Sequence, residues 1–431
     1  MNNTPAPRPR LGRLGLARLL PAGVDPGAWP LLVARALRAF GDGYMAVLLP
    51  AYLLSIGLGT LEVGIVSTAT MLGSALATLA VGAWGHRFPG GRLLRAAALL
   101  MTATGLGFAG LSSFWPLLIV ALVGTLNPSS GDVSVFLPLE HARLAGAAQG
   151  HARTALFARY SLAGALCAAL GALAAAVPDW LVRHNGVERL VALRGMFVVY
   201  AAIGLGVFWL YRHLPDPADQ AKGGEAGSLP TPPTPPTPPT PLGPSRGIVV
   251  RLAALFSVDA FAGGLTVNAL MSLWLLERFG FSLTQAGVFF FWTGLLGAAS
   301  QLAAPLVARR IGLLNTMVFT HLPANVCLVL AALAPSLPIA LGLLMVRSAL
   351  SSMDVPTRTA YVMAVVTPAE RSAAASFTAV PRSLAAAISP TLSGMLFAAG
   401  WISAPLIACG LLKITYDLAL WRAMRRHRFD G

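Results

Sequence analysis

Uninterrupted apolar runs of about 20 residues, separated by short polar or arginine-bearing loops, set the pattern of this chain. A helix of that length crosses a hydrocarbon layer of roughly 30 Å. Such runs fall near 32–55, 61–83, 93–112, 114–139, 153–177 and 190–211. Six more lie near 248–276, 283–307, 316–334, 337–366, 372–399 and 402–423. The runs are long rather than alternating, and a helix satisfies its own backbone hydrogen bonds inside lipid, so the pattern predicts an all-α integral membrane protein of twelve spans and excludes a barrel.

The two sets of six are copies of one unit. Asp132-Val133 precedes Arg159-Tyr160-Ser161-Leu162, and about 222 residues later Asp354-Val355 precedes Arg382-Ser383-Leu384. Nearly the same offset carries Gly57 onto Gly280, Gly64 onto Gly287, and the basic loop at Arg87 onto the one at Arg310. A parallel repeat of six helices therefore occupies 30–211 and again 247–424. A basic arm (1–29) precedes it, a Pro-rich linker (212–246) joins the copies, and a short tail (425–431) closes the chain.

Composition agrees with a bilayer as the main partner, at 56% apolar and 11% charged residues. The net charge of +15 falls mostly on one set of loops. Arg8, Arg10, Arg13 and Arg18 precede the first span, Arg87 and Arg92 follow the second, Arg143 and Arg153 follow the fourth, and Arg309 and Arg310 follow the eighth. By the positive-inside rule both termini are cytoplasmic, in a multi-pass protein of a bacterial inner membrane. Topology accounts for the basic balance, so no nucleic-acid partner is expected. Cys167, Cys327 and Cys409 lie in apolar runs as packing residues, with no metal site or disulfide frame. The Thr-Pro-Pro repeats at 231–239 make the linker an extended tether.

Twelve helices, a six-plus-six parallel repeat and a long central linker make the chain resemble the major facilitator superfamily of secondary transporters. The family's basic loop between helices 2 and 3 matches at Gly82, Arg87 and Arg92, whereas its aspartate is replaced by His86. The second copy, around Arg310, lacks the acid too. The Gly-Pro pair that proton-coupled drug antiporters of the family often place in helix 5 is also absent, where the chain reads Ser161-Leu162-Ala163-Gly164. Small residues at four-residue spacing in helix 5 (Ala163, Cys167, Gly171, Ala175) and helix 11 (Ala386, Pro390, Gly394, Ala398) suit close helix contact between halves. The resemblance implies alternating access to a central cavity lined by helices 1, 4, 7 and 10, in a protein that works as a monomer.

Charged residues inside the spans are where function is sought, because each is expensive against lipid. Asp42, Asp132, Asp259 and Asp354 lie in helices 1, 4, 7 and 10. Equal distance from a cytoplasmic turn predicts the ion pairs Asp132–Arg159 and Asp354–Arg382, which read either as structural ties or as a gate. Asp42 sits one turn from Arg38, whereas Asp259 has no arginine within a turn, which makes Asp259 the leading proton-coupling candidate beside Asp42 and Asp354. Helix 10 carries Arg347, Ser351, Asp354, Arg358 and Tyr361; its counterpart, Asn127-Pro128-Ser129, lacks both arginines, so Arg347 or Arg358 reads either as serving the ligand or the coupling or as a structural partner for Asp354. Tyr44, Asn127, Asn268, Gln285, Trp292 and Gln301 complete the cavity candidates.

No phosphate-cradling loop, zinc set or catalytic triad occurs, so the expectation is a transporter without cofactor or enzymatic activity. It moves a small organic solute, coupled to protons, with export of a drug or metabolite favoured over uptake of a polar metabolite. The competing class is a membrane sensor or scaffold working through its Pro-rich linker.

Overall fold

The computed structural model describes residues 24–129, 134–212, 214, 243–367 and 370–425. The expectations for the basic arm, for Asp132, for most of the linker and for the end of the tail lie outside the described residues. Helices make up the fold, and no strand occurs among the described residues. The first half contains α1 (Trp29–Ser55), α2 (Thr60–Trp84), α3 (Gly90–Gly110), α4 (Phe114–Val123), α5 (Phe136–Ala147), α6 (Gly150–Ala174), α7 (Val177–Asn185) and α8 (Arg189–Arg212). The second contains α9 (Arg246–Gly264), α10 (Asn268–Phe279), α11 (Leu283–Ile311), α12 (Leu313–Leu333), α13 (Leu337–Ser351), α14 (Asp354–Val365), α15 (Arg371–Ala398) and α16 (Ala404–Met424).

Among the described residues nine helical segments are long and apolar enough to cross a membrane. The other three spans are α1 and α15, diluted by polar residues over 27 and 28 residues, and the interrupted pair α4–α5. The total is the expected twelve.

Spans four, seven and ten are broken helices rather than the continuous ones the apolar runs predict. In span ten Pro356 has no N–H to give the carbonyl of Ser352, and its ring crowds that carbonyl, so α13 stops at Ser351 and α14 restarts at Asp354. In span seven the break follows Gly263-Gly264, and in span four it contains Gly124 and Pro128. Discontinuous backbone at membrane depth persists only where protein or a cavity surrounds it.

The repeat is visible in the backbone. Gly57 and Gly280 end the first and seventh spans in the same left-handed conformation, with φ of 87° and 63°. Gly64 and Gly287, each four residues into its helix, make equivalent contacts between the halves. A Cβ on Gly64 would lie 2.6 Å from the Pro390 carbonyl oxygen and 2.8 Å from Gly394 Cα; one on Gly287 would lie 2.6 Å from the Ala172 carbonyl oxygen. Helix 11 thus uses its small-residue stripe between halves as expected. In helix 5, Gly171 instead receives the Phe40 carbonyl of α1 within its own half.

Hydrogen bonds join the halves on the same face. Ser272 Oγ donates to the Val47 carbonyl at 3.1 Å, and the Thr391 backbone N–H donates to Thr68 Oγ1 at 3.0 Å. The Thr284 N–H donates to Asp179 at 3.2 Å. This closed face is opposite the loops carrying Arg87, Arg92 and Arg310, all exposed along with Gly82. On the basic side Glu370 accepts from the Gly243 N–H and the Ser245 hydroxyl, both at 2.6 Å, and from Thr367. Those donors hold its carboxyl well below the ordinary range, at about 2, and pin the end of the linker to the turn before α15.

Gly64→Ala separates two effects of opposite sign. Helix propensity alone would stabilise by about 1 kcal/mol. The overpacked backbone contact costs about 1–3 kcal/mol, so the variant should melt below the wild type. Thermal unfolding in detergent reads the sign, and a higher melting temperature would show that the halves are not in contact there.

Candidate functional site

Each half is tied together by a buried carboxylate that gathers several spans. In the first half Glu140 of α5, fully buried, accepts from Arg38 of α1, Tyr160 of α6 and Tyr211 of α8. The Arg38 guanidinium also lies 4.0 Å over the Phe136 ring. Arg35, one turn earlier, sits 5.4 Å from the Tyr160 ring, in space left by Gly164, where a Cβ would come 2.4 Å from the Arg35 Nε. In the second half Asp259 of α9 accepts from Lys413 of α16 at 2.6 Å and from Arg358 of α14 at 3.1 Å. Arg358 extends its other arm to Asp354 at 3.1 Å. First and fourth spans are thus joined by an ion pair in both halves, with cation and carboxylate exchanged between the helices.

Beside the second cluster, His321 of α12 shares a 2.9 Å hydrogen bond with Asp417 of α16, and Asn325 donates to the other oxygen of Asp417 at 3.1 Å. His321 and Asp417 are both buried. The span charges were read as four aspartates; Glu140, Lys413, His321 and Asp417 were not singled out. Glu140 fell one residue beyond the expected fourth span. Lys413 and Asp417, at i and i+4 in the last span, were the legible signal.

Several expected placements change. Asp259, which has no arginine within a turn of its own helix, is held between two cations from other spans. Asp354 pairs with Arg358 one turn on, not with Arg382 across the hairpin, because i and i+4 on α14 stack on one face. Arg382 lines the cavity instead. The Asp132 partner expected for Arg159 lies outside the described residues. Tyr44 is buried inside the first half, donating to the Met196 carbonyl at 3.2 Å, so it is not a cavity residue. Asn127 is also buried, accepting from the Ser129 N–H and hydroxyl. Asp42 meets the Tyr200 hydroxyl at 3.4 Å. Gln285 caps α11 with Ser282, and Trp292 is exposed on the outer surface.

Between the halves, a cavity of about 440 Å³ opens from the basic side, lined by Thr78, Leu79 and Leu137 on one half and by Arg358, Arg382 and Ser383 on the other. Gln301 lines both this cavity and a central one of about 260 Å³, where Asn268, Arg347, Ser348, Ser351 and Ser352 meet the small residues of α6. The expected cavity residues Asn268, Arg347 and Ser351 are thus brought together beside the broken ends of spans seven and ten.

Twelve spans in two like halves, meeting at one face and parted around a cavity toward the other, have the architecture of an alternating-access transporter. A sequence profile of the Major Facilitator Superfamily matches residues 31–346, and the chain belongs to that family of membrane transporters. It is 23% identical over 410 residues to the uncharacterized membrane protein YJR124C of Saccharomyces cerevisiae, covering 89% of this chain and 91% of that one. Its fold is similar to that of a bacterial homologue of the human lysosomal transporter Spinster, inward-facing and occupied, with a TM-score of 0.71, 14% identity, and 93% and 96% of the two chains covered. The nucleoside transporter NupG gives 0.68, at 14% identity over 93% and 100%. A D-xylose-proton symporter gives 0.70, at 16% identity over 91% and 97%. At these identities the likeness is one of fold.

The Asp259–Lys413 tie predicts a non-additive mutant cycle. Lys413→Ala or Asp259→Asn alone unbalances a buried cluster, at a cost of about 3–5 kcal/mol for the loss of one partner. The double variant should recover part of that loss. Melting temperatures of the four proteins check it; simple additivity would remove the pair as a tie.

Proposed function

We propose that the protein is a secondary transporter that moves a small organic solute across the cell's inner membrane by alternating access, as a monomer, with its basic side and both termini in the cytoplasm. The observation that carries this reading is the asymmetry of the interface between halves. Glycine backbone contacts close one face, while α2 and α15, which meet there, part around a cavity toward the other. In this conformation the cavity is open to the basic side, the state in which an exporter takes up its solute and an importer releases it. The arginine bias of the loops supports a cytoplasmic location for that side.

For the coupling ion we propose the proton, carried at the His321–Asp417 pair. This buried imidazole shares a hydrogen bond with a buried carboxylate, an arrangement that can pass a proton between two groups. The groups around it are Asn325 on its own helix, Lys413 and the Tyr416 ring on α16, and Asp259 on α9. A change of charge at His321 is therefore felt by the carboxylate that ties spans seven, ten and twelve. This reading moves the proton from Asp259 to its neighbour.

Two measurements test these readings. In a background without native cysteines, the Ser272→Cys variant should resist a membrane-impermeant maleimide while the Ala379→Cys variant reacts readily; a transported solute should reverse the order. Reactivity that no solute changes would sink alternating access. His321→Gln should flatten the pH dependence of solute binding or flux while the protein stays folded. An unchanged pH profile would remove His321 as the carrier.

A further inference from the structure

The central cavity holds a cation in want of a counter-charge. Arg347 lies ten residues into α13, roughly 15 Å from the closed face at about 1.5 Å per residue, near the middle of the bilayer. Its Nε is buried and has no hydrogen-bond partner, and no ion pair to its guanidinium forms among the described residues. Around it stand hydrogen-bonding side chains without charge: Asn268, Gln301, Ser348, Ser351 and Ser352. Among the described residues no carboxylate lines either the central cavity or the approach from the basic side.

Among the described residues, charge along the path has one sign. Arg382 lines the approach, and among the described residues it too makes no ion pair. Arg358, on the same wall, is already balanced by Asp259 and Asp354. The corresponding stretch of the first half, Asn127-Pro128-Ser129, carries no arginine, so the repeat does not require one at this depth for its architecture. An uncompensated guanidinium at the bilayer centre is expensive, and a fork of five donors matches a carboxylate or phosphate in two bonds.

We propose that the solute is a small organic anion, its carboxylate or phosphate held by Arg347 and its hydroxyl or amide groups by Asn268 and the serines of the α13 end. This rests on the transport reading above and deepens it. The cavity of about 260 Å³ limits the cargo to a compact molecule. Arg382, nearer the basic side, draws the anion inward. The anion supplies at the centre the charge that the described residues do not.

The test uses the full-length protein in detergent and matched probes: benzoate against benzamide, phenyl phosphate against phenol, and benzylamine as the cation. Anions should raise the melting temperature where their neutral partners and benzylamine do not, and the stronger of the two anions says which headgroup is preferred. Arg347→Gln should melt at or above the wild type without ligand, since it removes an unpaired buried charge, and should bind the anion about 10- to 100-fold more weakly. Arg347→Lys should keep part of the response, because charge remains but the fork is lost. Should Arg347→Gln not fold, phenylglyoxal modification of Arg347 in the wild type, followed by mass spectrometry, should be slowed by benzoate. The assignment falls if neutral or cationic probes stabilise and anions do not, if Arg347→Gln responds to anions like the wild type, or if benzoate leaves the modification unchanged. A neutral probe that still reverses the cysteine reactivity would overturn the anion and leave transport standing; a protein that reverses for no probe loses both.

Discussion

Burying charge in a medium that cannot solvate it is the constraint on which this fold depends. A lone ion in the hydrocarbon region costs several kcal/mol, so every charge inside the spans must be answered by another span or by something that enters. Glu140 answers Arg38 and collects the hydroxyls of Tyr160 and Tyr211, bringing α1, α5, α6 and α8 to one point. Asp259 does the same for α9, α14 and α16 through Arg358 and Lys413. Because lipid tails are as apolar as leucine, packing between spans gains little from the hydrophobic effect, and these ties and close backbone contacts specify which helices meet.

The exchange of cation and carboxylate between the halves has a physical reading. A tie between the first and fourth spans needs opposite charges at facing positions but is indifferent to which helix carries which. The two copies keep the geometry and have taken opposite solutions: Arg38 to Glu140 in one, Asp259 to Arg358 in the other. The choice has consequences for the second half. With the arginine on the broken tenth span, its free arm reaches Asp354 at the start of α14, and the cluster spreads toward the wall of the cavity. The first half keeps its cluster sealed among tyrosines. Among the described residues, the charges that line the cavities between the halves therefore come from the second copy, and the first forms the more uniform wall.

The face where the halves meet depends on atoms that are missing. Gly64 against Gly394 and Gly287 against Ala172 bring backbones to distances no side chain would permit. Such contacts are all-or-none, because a packed backbone surface either fits or parts. Opening this face therefore separates two rigid bundles rather than deforming either, and the broken spans beside the cavity are the places where local backbone change is cheapest.

The chain by itself determined the number of spans, the six-plus-six repeat, the side carrying the arginines and the positions of the turn glycines. These follow from local quantities: run length against bilayer thickness, offset between copies, and a backbone conformation open to glycine. It also brought Arg347, Asn268 and Ser351 into view, since polar residues in an apolar run are conspicuous. Which charges meet was decided only in three dimensions. Asp259 looked solitary because both its cations arrive from spans 99 and 154 residues away. Arg382 looked paired because equal distance from a turn ignores rotation about each helix axis, whereas Asp354 already had Arg358 one turn away on its own helix. Ion pairing inside a membrane is set by the depth and rotation of each helix, and those are fixed by neighbours that no single run of residues contains.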